Sequence, residues 1–218
     1  MFVITADQID SRSRADIVGT TLHRLNREHD GHLALPVDRN AGDELQVMTT
    51  EASTTLAIVL DLTRSAQWSV GIGCGAVRLP LPAATREGSG PAFFAARDAV
   101  TRAKKQATRF AVETAVADDR AAKSETTPEW PGAADAEGLL NLLLLLRGRR
   151  SDAGWELYDL VVTGMQQNEA AERIGISAPA ANSRARAAGL KTEFASIGPL
   201  TRLLENLDRV ATGMDENR

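Results

Sequence analysis

Cysteine and aromatic residues are scarce in this sequence. Among 218 residues there is one cysteine, Cys74, and phenylalanine, tryptophan and tyrosine together make up 4%. A single cysteine excludes an internal disulfide framework and a cysteine-based zinc cluster. Proteins without disulfides are typical of reducing compartments, so we expect this protein in the cytoplasm.

Long hydrophobic runs are also missing. The longest apolar run, LLLLL within GLLNLLLLLRGRR, is far shorter than the roughly 20 residues that a membrane-spanning helix needs. The opening residues, MFVITADQID, lack the basic segment and the long apolar segment of a signal peptide. We therefore expect no contact with membranes.

The formal net charge of −4 argues against nonspecific coating of nucleic acid, although it is compatible with a local DNA-reading surface.

The chain divides at a segment that has two prolines and many small polar residues. Residues 122–135, AKSETTPEWPGAAD, show neither helical nor strand periodicity and are predicted to be a linker. In residues 1–121, strand-like and helix-like segments alternate in the order βαββαβ. This order predicts an α+β domain with a ferredoxin-like antiparallel sheet, helices on one face and a last helix from about 92 to 116. In residues 136–218 only helical patterns occur, which predicts an all-α domain.

The stretch DRNAGDELQV predicts a β-hairpin between two segments of alternating apolar residues. Gly42 would take a backbone conformation that is closed to other residues, and Asp43 would project from the turn toward the end of the first strand, where Asp7 lies. Two carboxylates there suit Mg²⁺, which usually takes one or two protein carboxylates and fills its other positions with water and phosphate oxygens. The alternative is that Asp43 only closes a polar turn and Asp7 only caps the following helix.

Several short motifs follow one another in a suggestive order: the Asp that ends the first strand, AGDELQ on the hairpin, the strand WSVGIGCG and the segment GSGPAFFAARDA. This order resembles the nucleotidyl-cyclase superfamily, which includes class III adenylyl cyclases and GGDEF diguanylate cyclases. More closely, ADQIDSR, GDELQ and GPAFFAAR, followed by a helix-turn-helix, resemble the bacterial SatD family over most of the chain. The resemblance implies that Asp7 and Asp43 occupy metal-binding positions and that Arg97 matches the arginine of the cyclase Asn-to-Arg helix motif.

The chain departs from active cyclases at positions that matter for cyclisation. Phe93 stands where those cyclases have an Asn one turn before the arginine, and Ala41 and Leu45 replace the first Gly and the Phe of the GGDEF signature. We therefore expect a degenerate cyclase-like fold that retains part of a nucleotide and metal pocket and has lost cyclisation. Phe93 would stack on a base of the ligand; the alternative is a core residue on a helix face.

A phosphate-binding loop is predicted directly after the first strand. The segment DSRSR would present backbone N–H groups, the Ser11 hydroxyl and the Arg12 guanidinium to a phosphate. The predicted ligand is a nucleotide or a cyclic dinucleotide. Its predicted binding residues, taken together, are Ser11, Arg12, Asp43, Phe93 and Arg97.

The strand VGIGCGAV carries Gly71, Gly73 and Gly75 on one face. Such a bare face lets another group approach the backbone closely. That group would be either a ligand or a packed helix, and the spacing is not the GxGxxG of a dinucleotide-binding turn.

Residues 151 to 194 carry the clearest pattern in the chain, a helix-turn-helix. One helix bears apolar residues at helical spacing and ends at Gly164, a second, short helix ends at Gly175, and a third begins after the N-cap Ser177 and stops at Gly189. In such units the last helix enters the major groove of DNA. No acidic residue occurs from Ser177 to Lys191. We predict that this segment binds double-stranded DNA through Ser177, Asn182, Ser183, Arg184, Arg186 and Lys191.

Together these patterns predict a DNA-binding transcriptional regulator whose cyclase-like domain senses a nucleotide-type ligand. A rival of another class is an active Mg²⁺-dependent nucleotidyl cyclase, or a related nucleotide-processing enzyme, that uses Asp7 and Asp43. A third hypothesis is an adaptor in which both domains only bind protein partners. The helices GLLNLLLLLR and IGPLTRLLENLDRVATG have more apolar surface than a lone small domain buries, so we expect a homodimer.

Overall fold

A computed structural model of the protein describes residues 1–115 and 131–213. Those ranges contain one five-stranded sheet and eight α-helices, which confirms the expected mixture of strands and helices. The chain forms two compact units. Unit 1 comprises the described residues of the ranges 1–141 and 200–218, and unit 2 is Leu142–Pro199.

Unit 1 is built around the sheet. Its elements are β1 (Phe2–Gln8), α1 (Val18–Glu28), β2 (Leu35–Arg39), β3 (Glu44–Thr49), α2 (Ala52–Arg64), β4 (Trp68–Cys74), α3 (Pro91–Ala103) and β5 (Phe110–Thr114). The strands lie side by side in the order β2-β3-β1-β4-β5. The first four are antiparallel to their neighbours, and β5 is parallel to β4. Strands β1 to β4 therefore form an antiparallel sheet, and β1 is the central strand of all five.

The fifth strand was not predicted. The sequence suggested one helix over about 92 to 116, whereas α3 ends at Ala103 and residues 110–114 pair with β4, from Phe110 opposite Val70 to Thr114 opposite Cys74. Arg109, with a φ of 54°, separates the two elements. The helix prediction is wrong here because the pairing with β4 is a long-range contact, which local periodicity does not show.

Two glycines of β4 allow α3 to lie directly on the sheet. A Cβ atom at Gly73 would come within 2.1 Å of the Ala92 carbonyl oxygen, and one at Gly71 within 2.2 Å of the Val100 nitrogen. The group that approaches the glycine face is therefore a helix. All seven residues of β4 are buried, so helices cover both faces of the sheet at its centre rather than the single face that was expected.

The β2–β3 hairpin closes as the sequence predicted. The Glu44 N–H donates to the Ala41 carbonyl at 2.7 Å, and the Asn40 N–H donates to the Glu44 carbonyl at 3.0 Å. Gly42 has a φ of 43°, in the left-handed region that favours glycine. This conformation turns the chain so that the next residue, Asp43, lies beside the end of β1, where the Gln8 N–H donates to the Asp43 carbonyl at 3.0 Å.

The remaining helices are α4 (Ala133–Gly148), α5 (Asp152–Val161), α6 (Gln167–Ile174), α7 (Ala178–Ala187) and α8 (Leu190–Thr212). Unit 2 holds α5 to α7, the second part of α4 and the first part of α8. Its core is formed by Leu157, Ala170, Ala188 and Leu190. Gly175, with a φ of 79°, ends α6, and the Ser177 hydroxyl caps α7 by accepting from the Ala180 N–H at 3.3 Å.

Glu137 ties the start of α4 to unit 1. The residue is 9% exposed, and its carboxylate accepts hydrogen bonds from the Arg102 side chain and, at 2.8 Å, from the Val112 N–H. The helix begins at Ala133, inside the predicted linker, while residues 122–130 of that linker lie outside the described ranges. Unit 2 is accordingly narrower than the predicted domain 136–218. Among helices in residues 1–115 and 131–213, none combines the length and hydropathy needed to cross a bilayer.

Candidate functional site

The end of β1 and the turn of the hairpin meet at one cleft of unit 1. In the sheet register Asp7 lies opposite Glu44 of β3 and opposite Ser69 of β4. Asp7 and Asp43 both line a cleft of about 370 Å³, which we call the strand-end cleft. Its other polar side chains are Gln8, Asp10, Ser11, Arg12, Ser13, Ser69, Lys104 and Arg109. The structure thus brings four of the sequence-predicted residues, Ser11, Arg12 and the two aspartates, to one place.

Each of the two carboxylates has a donor. The Lys104 ammonium lies 2.6 Å from an Asp7 carboxylate oxygen, and the Ser11 hydroxyl donates to Asp43. The Asp7 side chain is 19% exposed and that of Lys104 45% exposed. Lys104 was missed because the predicted helix ran through it, whereas it follows the last residue of α3 and is free to turn toward the end of β1.

The loop that carries Ser11 and Arg12 is held at its far end. The buried Gln8 side chain donates to the Ala15 carbonyl at 2.7 Å and accepts from the Ile17 N–H at 3.2 Å. Arg39 of β2 lies 2.7 Å from Asp16, and its hydrogen bond lowers the pKa of the Asp16 carboxyl, with help from the Val18 N–H. These contacts fix the loop against the strand ends, and α1 begins only after the loop, at Val18.

The charges in the strand-end cleft suit a ligand that brings both anionic oxygens and a cation. Arg12, Lys104 and Arg109 supply three positive side chains, and Asp7, Asp10 and Asp43 supply three carboxylates. A neighbouring cleft of about 460 Å³ shares Ser11, Arg12 and Asp43 and adds the ion pair of Asp16 with Arg39. Guanidinium and ammonium groups bind phosphate oxygens, and carboxylates bind hard cations.

The strand-end cleft can offer Mg²⁺ the carboxylates of Asp7 and Asp43, which is near the smallest number of protein ligands that this ion takes. No group of three or more His, Cys, Asp or Glu side chains able to hold a metal occurs within residues 1–115 and 131–213. Mg²⁺ does not require such a cage, since one or two carboxylates with water and phosphate oxygens suffice. Asp7 and Asp43 match that pattern, and Lys104 would have to release Asp7 for the aspartate to bind the ion through both oxygens.

Phe93 and Arg97 lie away from these clefts. Phe93 is 7% exposed and packs in the core against Val3 and Met48, with its ring over Gly88. Arg97 is exposed on α3, and neither residue lines either cleft. The structure favours the alternative in which Phe93 is a core residue, because it lies on the face of α3 that contacts the sheet.

A second candidate site is the exposed side of α7 in unit 2. Asn182, Ser183 and Arg186 are exposed, as is Lys191 at the start of α8. Asn182 accepts a hydrogen bond from the Gln167 side chain at 2.6 Å, which leaves its amide N–H groups for another acceptor. Small alanines separate these polar residues, so another molecule can approach the backbone of α7 closely. We call this surface the α7 face.

Two of the predicted DNA contacts have structural partners instead. Ser177 caps α7 through its hydroxyl. Arg184 is half-buried and lies 2.9 Å from Glu156 of α5. Because helix residues follow one another at about 100°, Arg184 and Arg186 lie about 200° apart around α7. Arg184 therefore points toward α5 while Arg186 belongs to the α7 face.

A buried charge cluster supports unit 2 and was not predicted. Glu193 of α8 accepts from Arg147 of α4 and from Arg150, which follows α4. The two guanidinium carbons lie 4.8 and 4.3 Å from the centroid of the Trp155 ring, close enough for cation–π contact. The paired residues are 43 and 46 positions apart, so no local pattern predicts the cluster. The sequence RGRR at the end of α4 would ordinarily indicate an exposed basic segment.

Comparison of the chain with protein-family models, with curated proteins and with solved structures gave no match.

Proposed function

We propose that the protein is a DNA-binding transcriptional regulator: unit 2 reads double-stranded DNA with α7, and unit 1 is a degenerate cyclase-like domain that binds a nucleotide-type ligand. The proposal follows the resemblance to the SatD family and to the nucleotidyl-cyclase superfamily. Its setting would be the cytoplasm, where both DNA and nucleotides are present.

The α7 face is the observation that carries the DNA-reading part. Three exposed donors, Asn182, Ser183 and Arg186, follow one another on one helix, with Lys191 close behind. No carboxylate occurs in this segment to repel phosphates. Asparagine and arginine are the side chains that most often make paired hydrogen bonds with adenine and guanine, and lysine suits the phosphates.

The arrangement of the preceding helices agrees with a helix-turn-helix. A short α6 is joined to α7 by three residues, 175–177, of which Gly175 takes a left-handed conformation. The pair packs with α5 around Leu157 and Ala170. Such a unit offers its last helix to the major groove, while the helix before it crosses the DNA backbone.

The ligand-binding part is supported by the strand order and by the strand-end cleft. The order β2-β3-β1-β4 is that of a ferredoxin-like sheet, on which cyclase-like domains are built. The cleft places Asp7 and Asp43 beside Arg12, Lys104 and Arg109. A nucleotide or cyclic dinucleotide would bind with its phosphates on the cations, and Mg²⁺, if bound with it, would be held by the two aspartates.

The test of the DNA-reading part is fluorescence anisotropy with a double-stranded DNA selected from a random library. We expect Arg186→Ala to weaken binding about tenfold, since a good contact to a base contributes about 1–3 kcal/mol. Lys105→Ala, which removes one exposed charge from unit 1, is the control and should change affinity little. Equal affinities for wild type and Arg186→Ala would count against the α7 face, and no binding at low salt would favour the adaptor hypothesis.

A second function is favoured by one observation: both aspartates that a cyclase needs line the same cleft. An active nucleotide-processing enzyme would form product from a nucleoside triphosphate with Mg²⁺, and Asp43→Asn would abolish it. Our proposal expects ligand binding without product. Melting-temperature shifts and product assays on the same samples, with a panel of nucleoside triphosphates and cyclic dinucleotides, separate the two.

We also propose a homodimer, because operators read by such units are usually twofold symmetric. On the part of α4 that belongs to unit 2, Leu142 and Leu145 are 65% and 45% exposed and lie three residues apart in one apolar stripe. This stripe offers apolar surface for a second copy. Sedimentation of wild type and of Leu142→Gln tests it: the variant should shift toward the monomer, and an unchanged mass would argue against this surface.

A further inference from the structure

Unit 2 contains a pocket beside the α7 face, and the functions above assign no ligand to it. It has a volume of about 640 Å³, within the range of about 300–1,000 Å³ that is typical of small-molecule sites. Its walls come from the end of α5, from the start of α6, from α7 and from the first turn of α8. The apolar part of the wall is made by Val161, Ala185, Leu190 and Phe194.

The polar part of the same wall carries positive charge only. Arg186 and Lys191 line the pocket together with the uncharged Gln167, Asn182 and Thr192. No carboxylate lines it. Both cations are exposed and keep their water until a ligand arrives. An apolar wall with two cations in the same lining complements an apolar molecule that ends in an anionic group.

We infer that this pocket binds a small organic carboxylate with an apolar body, such as a medium-chain or aromatic acid, and that the bound acid excludes DNA. The apolar body would lie against Leu190 and Phe194. The carboxylate would accept hydrogen bonds from Arg186 and Lys191, and a guanidinium often binds a carboxylate through two parallel, charge-assisted hydrogen bonds.

The exclusion follows from shared residues. Arg186, Lys191 and Asn182 line the pocket and also belong to, or directly follow, the α7 face. A carboxylate held by the two cations neutralises the charges that DNA phosphates would meet. This step rests on the proposed DNA-reading function, whereas the pocket and its ligand class do not. If the two ligands exclude each other, acid at ten times its Kd raises the apparent Kd for DNA about elevenfold.

The site is tested by calorimetry of the full chain with decanoate as the probe and 1-decanol as its uncharged counterpart. We expect decanoate to bind at least about tenfold more tightly than 1-decanol. Lys191→Gln should weaken decanoate binding about tenfold, and Thr192→Trp, which adds a large side chain at an exposed wall position, should abolish it. Lys105→Gln is the charge-matched control. Circular dichroism of each variant shows whether unit 2 remains folded.

The outcomes separate the two proposals. No binding of decanoate, or equal binding to wild type, Lys191→Gln and Thr192→Trp, overturns the ligand site. Specific binding of decanoate to a protein that binds no DNA upholds the site and overturns the DNA-reading function. If both ligands bind and saturating decanoate leaves the apparent DNA affinity of wild type unchanged, the exclusion is wrong. An elevenfold loss that disappears in Thr192→Trp supports the whole inference.

Discussion

Replacing Glu193 with glutamine should strongly destabilise unit 2. The Glu193 side chain is 1% exposed and accepts from Arg147 and Arg150, which are 4% and 7% exposed. In Glu193→Gln both guanidinium charges stay buried and lose their countercharge, while the amide group turns N–H donors toward an arginine that also donates. Removing one partner of a buried ion pair costs about 3–5 kcal/mol, which is a large part of the stability of a small unit.

The assay is urea unfolding followed by far-ultraviolet circular dichroism. With an m-value of about 2 kcal/mol per molar urea, the midpoint of the transition that involves unit 2 should fall by about 1.5–2.5 M. Glu172→Gln, an exposed change on α6, is the control and should leave the midpoint nearly unchanged. If Glu193→Gln unfolds within about 0.3 M of wild type, the buried cluster does not hold unit 2 together and the reasoning fails.

Three other predictions concern unit 1. Gly73→Ala should lower the free energy of unfolding by about 3 kcal/mol, because the new Cβ would lie 2.1 Å from the Ala92 carbonyl oxygen and the backbone of α3 would have to shift. A loss below about 1 kcal/mol in urea unfolding would contradict this. Burial raises the pKa of the Cys74 thiol to about 12, so a thiol reagent at pH 8 should label it only in denaturant. Rapid labelling of the native protein would show that β4 opens. Lys104→Ala should strengthen Mg²⁺ binding and weaken binding of a nucleotide's phosphates, since the ammonium on Asp7 opposes the cation and attracts the anion. Calorimetry with each ligand measures both, and losses in both would mean that Lys104 only supports the fold.

The parts of unit 1 that were predictable are those with strong local patterns. Alternating apolar residues on either side of the Gly42 turn indicate a hairpin, and the order of strands then brings the end of β1 beside it. The fifth strand was not predicted because the short segment Phe110–Thr114 was included in the preceding helical pattern. Its strand conformation depends on pairing with the edge of β4. The glycines of β4 indicated that a ligand or a helix lies close to the strand backbone. Only the contact with α3 in the structure shows that it is a helix.

In the candidate sites, too, the positions of residues that local sequence patterns place were predictable, and the positions of residues that depend on long-range packing were not. Asp7, Ser11, Arg12 and Asp43 lie close together because strand ends and turns fix them, whereas Phe93 and Arg97 depend on the rotation of α3. On α7 the sequence showed the charge of the segment but not which side each residue takes. Helical spacing puts Arg184 and Arg186 on different sides of α7, and only the contact of Arg184 with Glu156 shows which of the two sides faces α5.

The salt dependence of DNA binding shows whether α7 is the element that contacts DNA. The affinity of wild type and of the Arg186→Ala/Lys191→Ala variant would be measured by anisotropy over a series of salt concentrations. If Arg186 contacts a base and Lys191 a phosphate, the double variant should bind more weakly at every salt concentration, and the slope of log K against log salt should become shallower by about 0.9, the value for one lost phosphate contact. Lys105→Ala should keep the wild-type slope. A double variant with the affinity and slope of wild type would contradict the account, because DNA would then bind without α7.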